Sequence, residues 1–229
     1  MEVLYEDNHI IIVNKASGEI TQGDRTGDCP LSEIVKQYIK EAYAKPGNVF
    51  LGVPHRLDRP VSGVVCFART GKALSRLNDL FRQGEKIKKT YWAITANRPP
   101  QEAATLTEWM IRNERQNKSY IVKEGTPEAK KAVLDYKVLA HSDRYYLLEV
   151  HLHTGRHHQI RCQLAHMGCP IKGDLKYGAP RSNPDGSISL HARNITFEHP
   201  VSHTMIDVTA PTPDNKLWKA FLTMLKQEK

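Results

Sequence analysis

Asp58 stands between Arg56 and Arg59 in the stretch "VPHRLDRPVSG" (residues 53–63), with Pro60 close behind. On extended backbone, side chains two positions apart point the same way, which sets Arg56 beside Asp58. Pro60 restricts Arg59 and marks an end of regular structure. A carboxylate near guanidinium groups is held below its usual pKa. It stays ionised, which suits a nucleophile or an electrostatic group and not a general acid. No second carboxylate stands by as its partner, which argues against the paired acids of glycoside hydrolysis. A structural ion pair and a catalytic acid fit these residues equally well.

A second chemical stretch is "GRHHQIR" (155–161). Read as helix, it puts His157 and Arg161 four apart on one side, while Ile160 enters the core and Arg161 faces a cleft. Its plainer reading is a surface arginine. His151, His153, His157, His158 and His166 lie close enough in sequence to suggest zinc. No cysteine or acid completes a tetrahedral set with them, so no metal is expected. Dinucleotide and phosphate-loop motifs, HExxH and a nucleophile elbow are all missing, so no cofactor is expected.

The elements that must position these residues follow from hydrophobic period. Residues 1–14 read as a hairpin, and "LSEIVKQYIKEAY" as a helix with Leu31, Ile34 and Tyr38 inward and Pro30 in its first turn. "VFLGVPHRLD" and "GVVCFART" read as strands around the Asp58 stretch. Thr70 caps a helix that Gly84 ends, and "IKKTYWAITA" is a strand. Residues 98–128 form a Pro- and charge-rich excursion to which the pattern assigns no structure. Two paired strands, "AVLDYKVLA" and "YYLLEVHLH", precede a helix carrying Ile160, Leu164 and Met167 and closed by Gly168. "ISLHARNITF" and "MIDVTA" are strands, and Asp214 precedes a last helix. Strands follow one another without a βαβ repeat. The expected fold class is therefore α+β, a large mixed, mostly antiparallel sheet with flanking helices, in one domain spanning 1–229.

The 229 residues are 40% hydrophobic and 25% charged, values of an ordered globular chain and not of a disordered one. No apolar run nears the roughly 20 residues that span a bilayer. The first residues lack the pattern of a signal peptide, so a cytoplasmic location is expected. Cys29, Cys66, Cys162 and Cys169 form no CxxC pair and read as reduced. The 33 Lys and Arg exceed the 25 acids, for a net charge of +8 that favours a polyanionic partner. Much of the excess lies in residues 69–89. Arg69, Lys72, Arg76, Arg82, Lys86, Lys88 and Lys89 are interrupted there only by Asp79 and Glu85. Nucleic acid and an ordinary solvated helix face fit that charge about equally.

The chain resembles the RluA-type family of RNA pseudouridine synthases. "HRLDRPVSG" is similar to that family's catalytic loop. "YEDNHIIIVNKASG", "KKTYWAI", "LEVHLHTGRHHQIRCQLAHMGCPIKGDLKYG" and "LHARNITFEHP" match other family segments in order. The resemblance implies a pseudouridine synthase fold with a central catalytic cleft. It implies that Asp58 is the catalytic aspartate, that Tyr91 stacks on the target uracil, and that Arg161 pairs with the aspartate. Arg56 would enter the RNA around a flipped nucleotide, with Arg59 and the basic stretch 69–89 on the RNA as well. The implied reaction breaks the N1–C1′ bond, turns the uracil, rejoins it through C5 and releases the C5 proton, without metal or cofactor. The implied partner is structured rRNA or tRNA. Val61 stands where many relatives have threonine, and Ala16 where proline is common. Residue 1 leaves no room ahead of it for the S4-type domain of some relatives, so recognition is expected from the catalytic domain. Two other classes remain in view, a non-catalytic RNA-binding protein on this fold and a metal-dependent hydrolase using the histidines.

Overall fold

The computed structural model describes residues 1–24, 26–84 and 86–227. It packs into two compact units. One comprises Met1–Lys88 with Ala192–Pro211, the other Lys89–His191 with Thr212–Lys229. Two of the three boundaries fall inside strands, β4 (Ile87–Thr95) and β9 (Leu190–Glu198), and the third follows Pro211. No Gly- or Pro-rich linker marks the two that fall inside strands, which is why the pattern reads straight through them.

In the first unit, β2 (Ile10–Lys15) is buried from Ile10 to Val13 and pairs antiparallel with β1 (Glu2–Glu6) and β3 (Ser62–Ala68). An apolar run without alternation is what a strand covered on both faces requires. β9 lies next to β3 and pairs antiparallel with β10 (Met205–Thr209). Helix α2 (Gly71–Gln83) lays Ala73, Leu77, Leu80 and Phe81 on Ile12, Cys66, Phe197 and Val208. The Thr70 side chain accepts the Ala73 N–H at 3.2 Å, and Gly84, at φ 76°, ends the helix. Both ends are as expected.

Helix α1 (Leu31–Ala42) differs. It buries Leu31, Val35 and Ile39, and leaves Ile34 and Tyr38 half-buried. Two adjacent helical rows were available, and packing selects the one without a phenol. Tyr38 instead donates its hydroxyl to Glu6, at 3.0 Å. Pro30 is the cap residue, ahead of the first turn. "VFLGVPHRLD" is not a strand. Only Gly52 bridges to Ala68, and Pro54 denies the ladder its next donor.

In the second unit the strand order is β4, β8 (Tyr146–Leu152), β7 (Lys130–His141), β5 (Ala103–Asn113), β6 (Lys118–Val122), each pair antiparallel. The open excursion proves to be the β5–β6 hairpin. Helix α3 (Gln159–His166) sets Cys162 against Met110, Ala132 and Tyr177. Helix α4 (Lys216–Gln227) sets Trp218 and Phe221 against Trp92, Ile94 and Leu147. Asn215, not Asp214, caps α4, its side-chain oxygen accepting the Leu217 and Trp218 N–H groups at 3.1 Å each. Asp214 pairs with Lys219. All four cysteines are free, and no helix among the described residues is long and apolar enough to cross a membrane.

Candidate active site

In the first unit the Asp58 stretch is an irregular loop clamped from beneath. Thr21 receives the Leu57 N–H at 3.3 Å and returns its hydroxyl to the Leu57 carbonyl at 3.2 Å. The Gly18 N–H donates to Arg59 O at 2.8 Å, and the Val61 N–H closes a turn onto Asp58 O at 3.0 Å. Lys15 completes the clamp. Its ammonium, on a fully buried residue, faces the carbonyls of Val61 (2.6 Å), Ala16 (3.0 Å), Arg59 (3.2 Å) and Asp58 (3.4 Å). These are backbone acceptors, so the valine at 61 costs the loop no support. Asp58 is partly buried at the bend, Arg56 is exposed, and Arg59 spends its charge on Asp28 at 2.6 Å.

Lys15 was missed as a functional residue. Its signal was period: on β2 it follows Ile11 and Val13 at every second position, on the same buried face. Burial lowers its pKa from 10.5 to about 8, against the pull of Glu19 and Asp58. The unfolded chain therefore holds more protons between about pH 8 and 10.5, and this residue's contribution makes stability rise with pH across that window. Lys15→Met should abolish that rise. It should also destabilise the fold at pH 7 by about 1–3 kcal/mol, since buried carbonyls lose their donor. Urea denaturation of both proteins at pH 7.5 and 9.5 measures both effects. Equal pH dependence in the two would refute the assignment.

In the second unit, Tyr91 lies on β4 opposite Val150 of β8 and is half-buried. Lys89, on the same strand, has its pKa lowered by burial. The "GRHHQIR" stretch departs from its expected geometry. Helix α3 begins only at Gln159, and His158 before it is left-handed, at φ 53° and ψ 26°. His157 is therefore off the helix, its ring stacked 3.8 Å from that of His158 and bonded to Ser119 and Asn117. The Arg161 side chain is only 6% exposed and forms a two-pronged pair with Asp174, Nε to Oδ2 at 2.7 Å and Nη2 to Oδ1 at 2.8 Å. Asp174 was also missed. It is the one acid of "CPIKGDLKYG", between two glycines, and nothing local announces its partner.

The basic stretch does not act as one surface. Arg76, Lys86 and Lys88 line a groove of about 610 Å³ in the first unit, together with Asp79, Glu198 and His203. Lys72 is exposed on α2. Arg82 pairs with Asp79. Arg69 turns inward: its side chain is 6% exposed, donates to Asp7 O and the Tyr43 hydroxyl, and stacks over the Tyr43 ring. Such a guanidinium is engaged by the fold. Glu85 lies outside the described residues. The histidines are dispersed among separate partners, His151 with Thr90 and Glu149, and His153 with Asp135. Among the described residues no group of three or more His, Cys, Asp or Glu is arranged to hold a metal ion.

A family model described as RNA pseudouridylate synthase matches residues 9–166, more than half of the chain. The chain belongs to the RNA pseudouridylate synthase family. That family's chemistry is the isomerisation of uridine to pseudouridine in RNA. An uncharacterized RNA pseudouridine synthase of Chloroflexus aurantiacus is 39% identical over 168 residues, 73% of this chain and 52% of the relative. The ribosomal large subunit pseudouridine synthase C of Vibrio parahaemolyticus is 29% identical over 98% of this chain and 69% of its own. This family member thus spans about half of the first relative and two thirds of the second. Human RNA pseudouridylate synthase domain containing 4 superposes with a TM-score of 0.80 at 24% identity, over 98% of this chain and 93% of the human one, and shows the same fold.

Proposed function

We propose that the protein converts specific uridines of structured ribosomal or transfer RNA to pseudouridine in the cytoplasm, with Asp58, Tyr91 and Arg161 acting on the reacting nucleotide. The observation that carries this is the mounting of Asp58. A loop with five carbonyl or amide groups tied to Lys15, Gly18 and Thr21 holds one carboxylate at a bend, as preorganised electrostatics requires. The N1–C1′ bond of the target breaks, C5 bonds to C1′, the C5 proton leaves, and N1 gains one, so no oxidant or cofactor enters. Asp58 would serve the sugar or base as the ionised group, Tyr91 the flipped uracil as a stacking face, and Arg161 the developing charge. Flipping costs a few kcal/mol that phosphate and wedge contacts must offset. The Vibrio relative's name favours ribosomal RNA as the first substrate to try.

The decisive test treats unmodified transcripts of ribosomal and transfer RNA with the purified protein and maps pseudouridine at single-nucleotide resolution. Site-specific modification in the presence of a chelator supports the reading. Tight RNA binding without modification would favour the non-catalytic alternative, and strand cleavage the hydrolase.

Arg76, Lys86 and Lys88 share one groove, and we place RNA phosphates there, with Arg56, Arg59, Lys72, Arg82 and Lys89 as weaker contributors. Lys86→Ala with Lys88→Ala should reduce affinity for all RNA sequences alike and lower the slope of log affinity against log salt by about 1–2. Titrations from low to moderate salt read this directly. An unchanged slope would move the phosphate track elsewhere.

A further inference from the structure

Arg161 is held by more than an ion pair. Asp174, whose side chain is 1% exposed, takes its Nε and Nη2 edge. At the other end Nη1 meets His158 Nε2 at 3.1 Å, and His158 Nδ1 meets the Tyr177 hydroxyl at 3.0 Å. The Tyr177 oxygen also accepts the Ser119 N–H of β6 at 2.8 Å. Its ring lies under the guanidinium, 5.2 Å from the Arg161 carbon, and meets the His158 ring edge-on at 5.6 Å. Edge, end and face of one planar cation are each fixed by a different side chain.

The donors set the protonation state. A guanidinium only donates, so His158 Nε2 accepts and the ring proton is on Nδ1, where it donates to Tyr177. A second proton on this ring would point at Arg161. Burial, together with Arg161, His157, Lys176 and Arg112, keeps the imidazole neutral, with its pKa pushed down to about 2. His158 reaches this place only by adopting the left-handed conformation just before α3, a costly one for a residue with a side chain. A purely structural arginine would be satisfied by Asp174. Asp174 reaches one edge of the guanidinium only, and His158 and Tyr177 fix the end and the face that the carboxylate leaves.

We propose that His158 and Tyr177 are positioning residues, which with Asp174 aim the Arg161 guanidinium at the reacting nucleotide. The proposal rests on the reading of Arg161 as a catalytic group given above. Asp174 holds Nε and Nη2 and His158 meets Nη1, so the orientation of the whole planar group is dictated by these neighbours. An ångström of drift in such a group costs on the order of 10²-fold in rate. Because His158 and Tyr177 act through Arg161, their loss should slow chemistry and leave RNA binding nearly untouched.

The experiment uses pooled ribosomal and transfer RNA transcripts carrying tritium at uridine C5, and measures tritium release in single turnover at saturating enzyme. Affinity is measured separately. His158→Phe keeps a ring but removes the acceptor, and should lower the rate about 10–100-fold with affinity within twofold. His158→Gln restores an acceptor and a donor on one side chain and should recover most of the loss. Adding His158→Phe to Arg161→Lys should cost little beyond Arg161→Lys alone, because the two act through one group. Should His158→Phe not fold, Tyr177→Phe in the same cycle carries the test, since it removes the hydroxyl and keeps the ring. A folded His158→Phe at wild-type rate beside a slow Arg161→Lys overturns the positioning role and spares the reading of Arg161. Wild-type rate in Arg161→Lys overturns both. Losses that multiply independently in the double variant also overturn the positioning role.

Discussion

Asp58→Asn is expected to fold, bind RNA and form pseudouridine on the order of 10³-fold more slowly than the wild type, or not at all. What Asp58 gives the loop is its carbonyl, which accepts the Val61 N–H at 3.0 Å and faces Lys15 at 3.4 Å. Asparagine keeps that carbonyl and the side chain's shape, and removes only the charge. Partial exposure of the residue means that little burial energy rides on the carboxylate. Thermal melting should therefore match the wild type within a few degrees while tritium release from C5-labelled transcripts collapses. A folded variant turning over within tenfold of the wild type would return Asp58 to the structural ion pair that its sequence neighbours equally allow.

The largest effect on stability is expected at Gly63, at the start of β3 and opposite Lys15 in the β2 register. Its φ of +115° lies in a region that residues with a Cβ avoid. A Cβ added there would stand 2.2 Å from the Ala192 carbonyl oxygen and 2.7 Å from that residue's carbonyl carbon and nitrogen. These are backbone atoms of a strand and have no rotamer by which to retreat. Gly63→Ala should therefore lose about 3 kcal/mol or more, a large fraction of a typical fold's total of roughly 5–15 kcal/mol. Gly18→Ala is the control. Its φ is +89°, but no atom lies within 4 Å of the added carbon, so only conformational strain of about 1–2 kcal/mol applies. Urea midpoints of the two variants should differ clearly, and equal midpoints would show that β3 and β9 separate freely. Loss at Gly63 should also loosen the hold of Lys15 on the Asp58 loop, so residual activity should fall faster than the folded fraction.

How far the sequence could be read depended on whether a signal was local. Thr70 and Gly84 announce the ends of α2 because a side-chain oxygen and a left-handed terminus act within one turn. The Ile10–Val13 run reads correctly because a strand covered on both faces needs no alternation. The motif "HRLDRPVSG" and the order of its companions point to the RNA pseudouridylate synthase family before any coordinate is known. Errors arose where two local solutions were nearly equal. Ile34 and Tyr38 form as good a helical row as Leu31, Val35 and Ile39 until the tyrosine must find an oxygen. His157 and Arg161 have the spacing of one helical turn until His158 turns left-handed and meets Arg161 and Tyr177.

Residue types, period and motif order by themselves determined the fold class, the placing of most strands and helices, and Asp58, Tyr91 and Arg161 as the residues to examine. Only the tertiary structure decided what holds them. Lys15 comes to its carbonyls from 43 to 46 residues away, Asp174 reaches Arg161 across 13, and Arg69 turns inward to Asp7 across 62. Such partners are selected by the burial of charge. A buried ammonium, guanidinium or carboxylate must find its counterpart wherever the folded chain brings one, and sequence spacing carries no record of that distance.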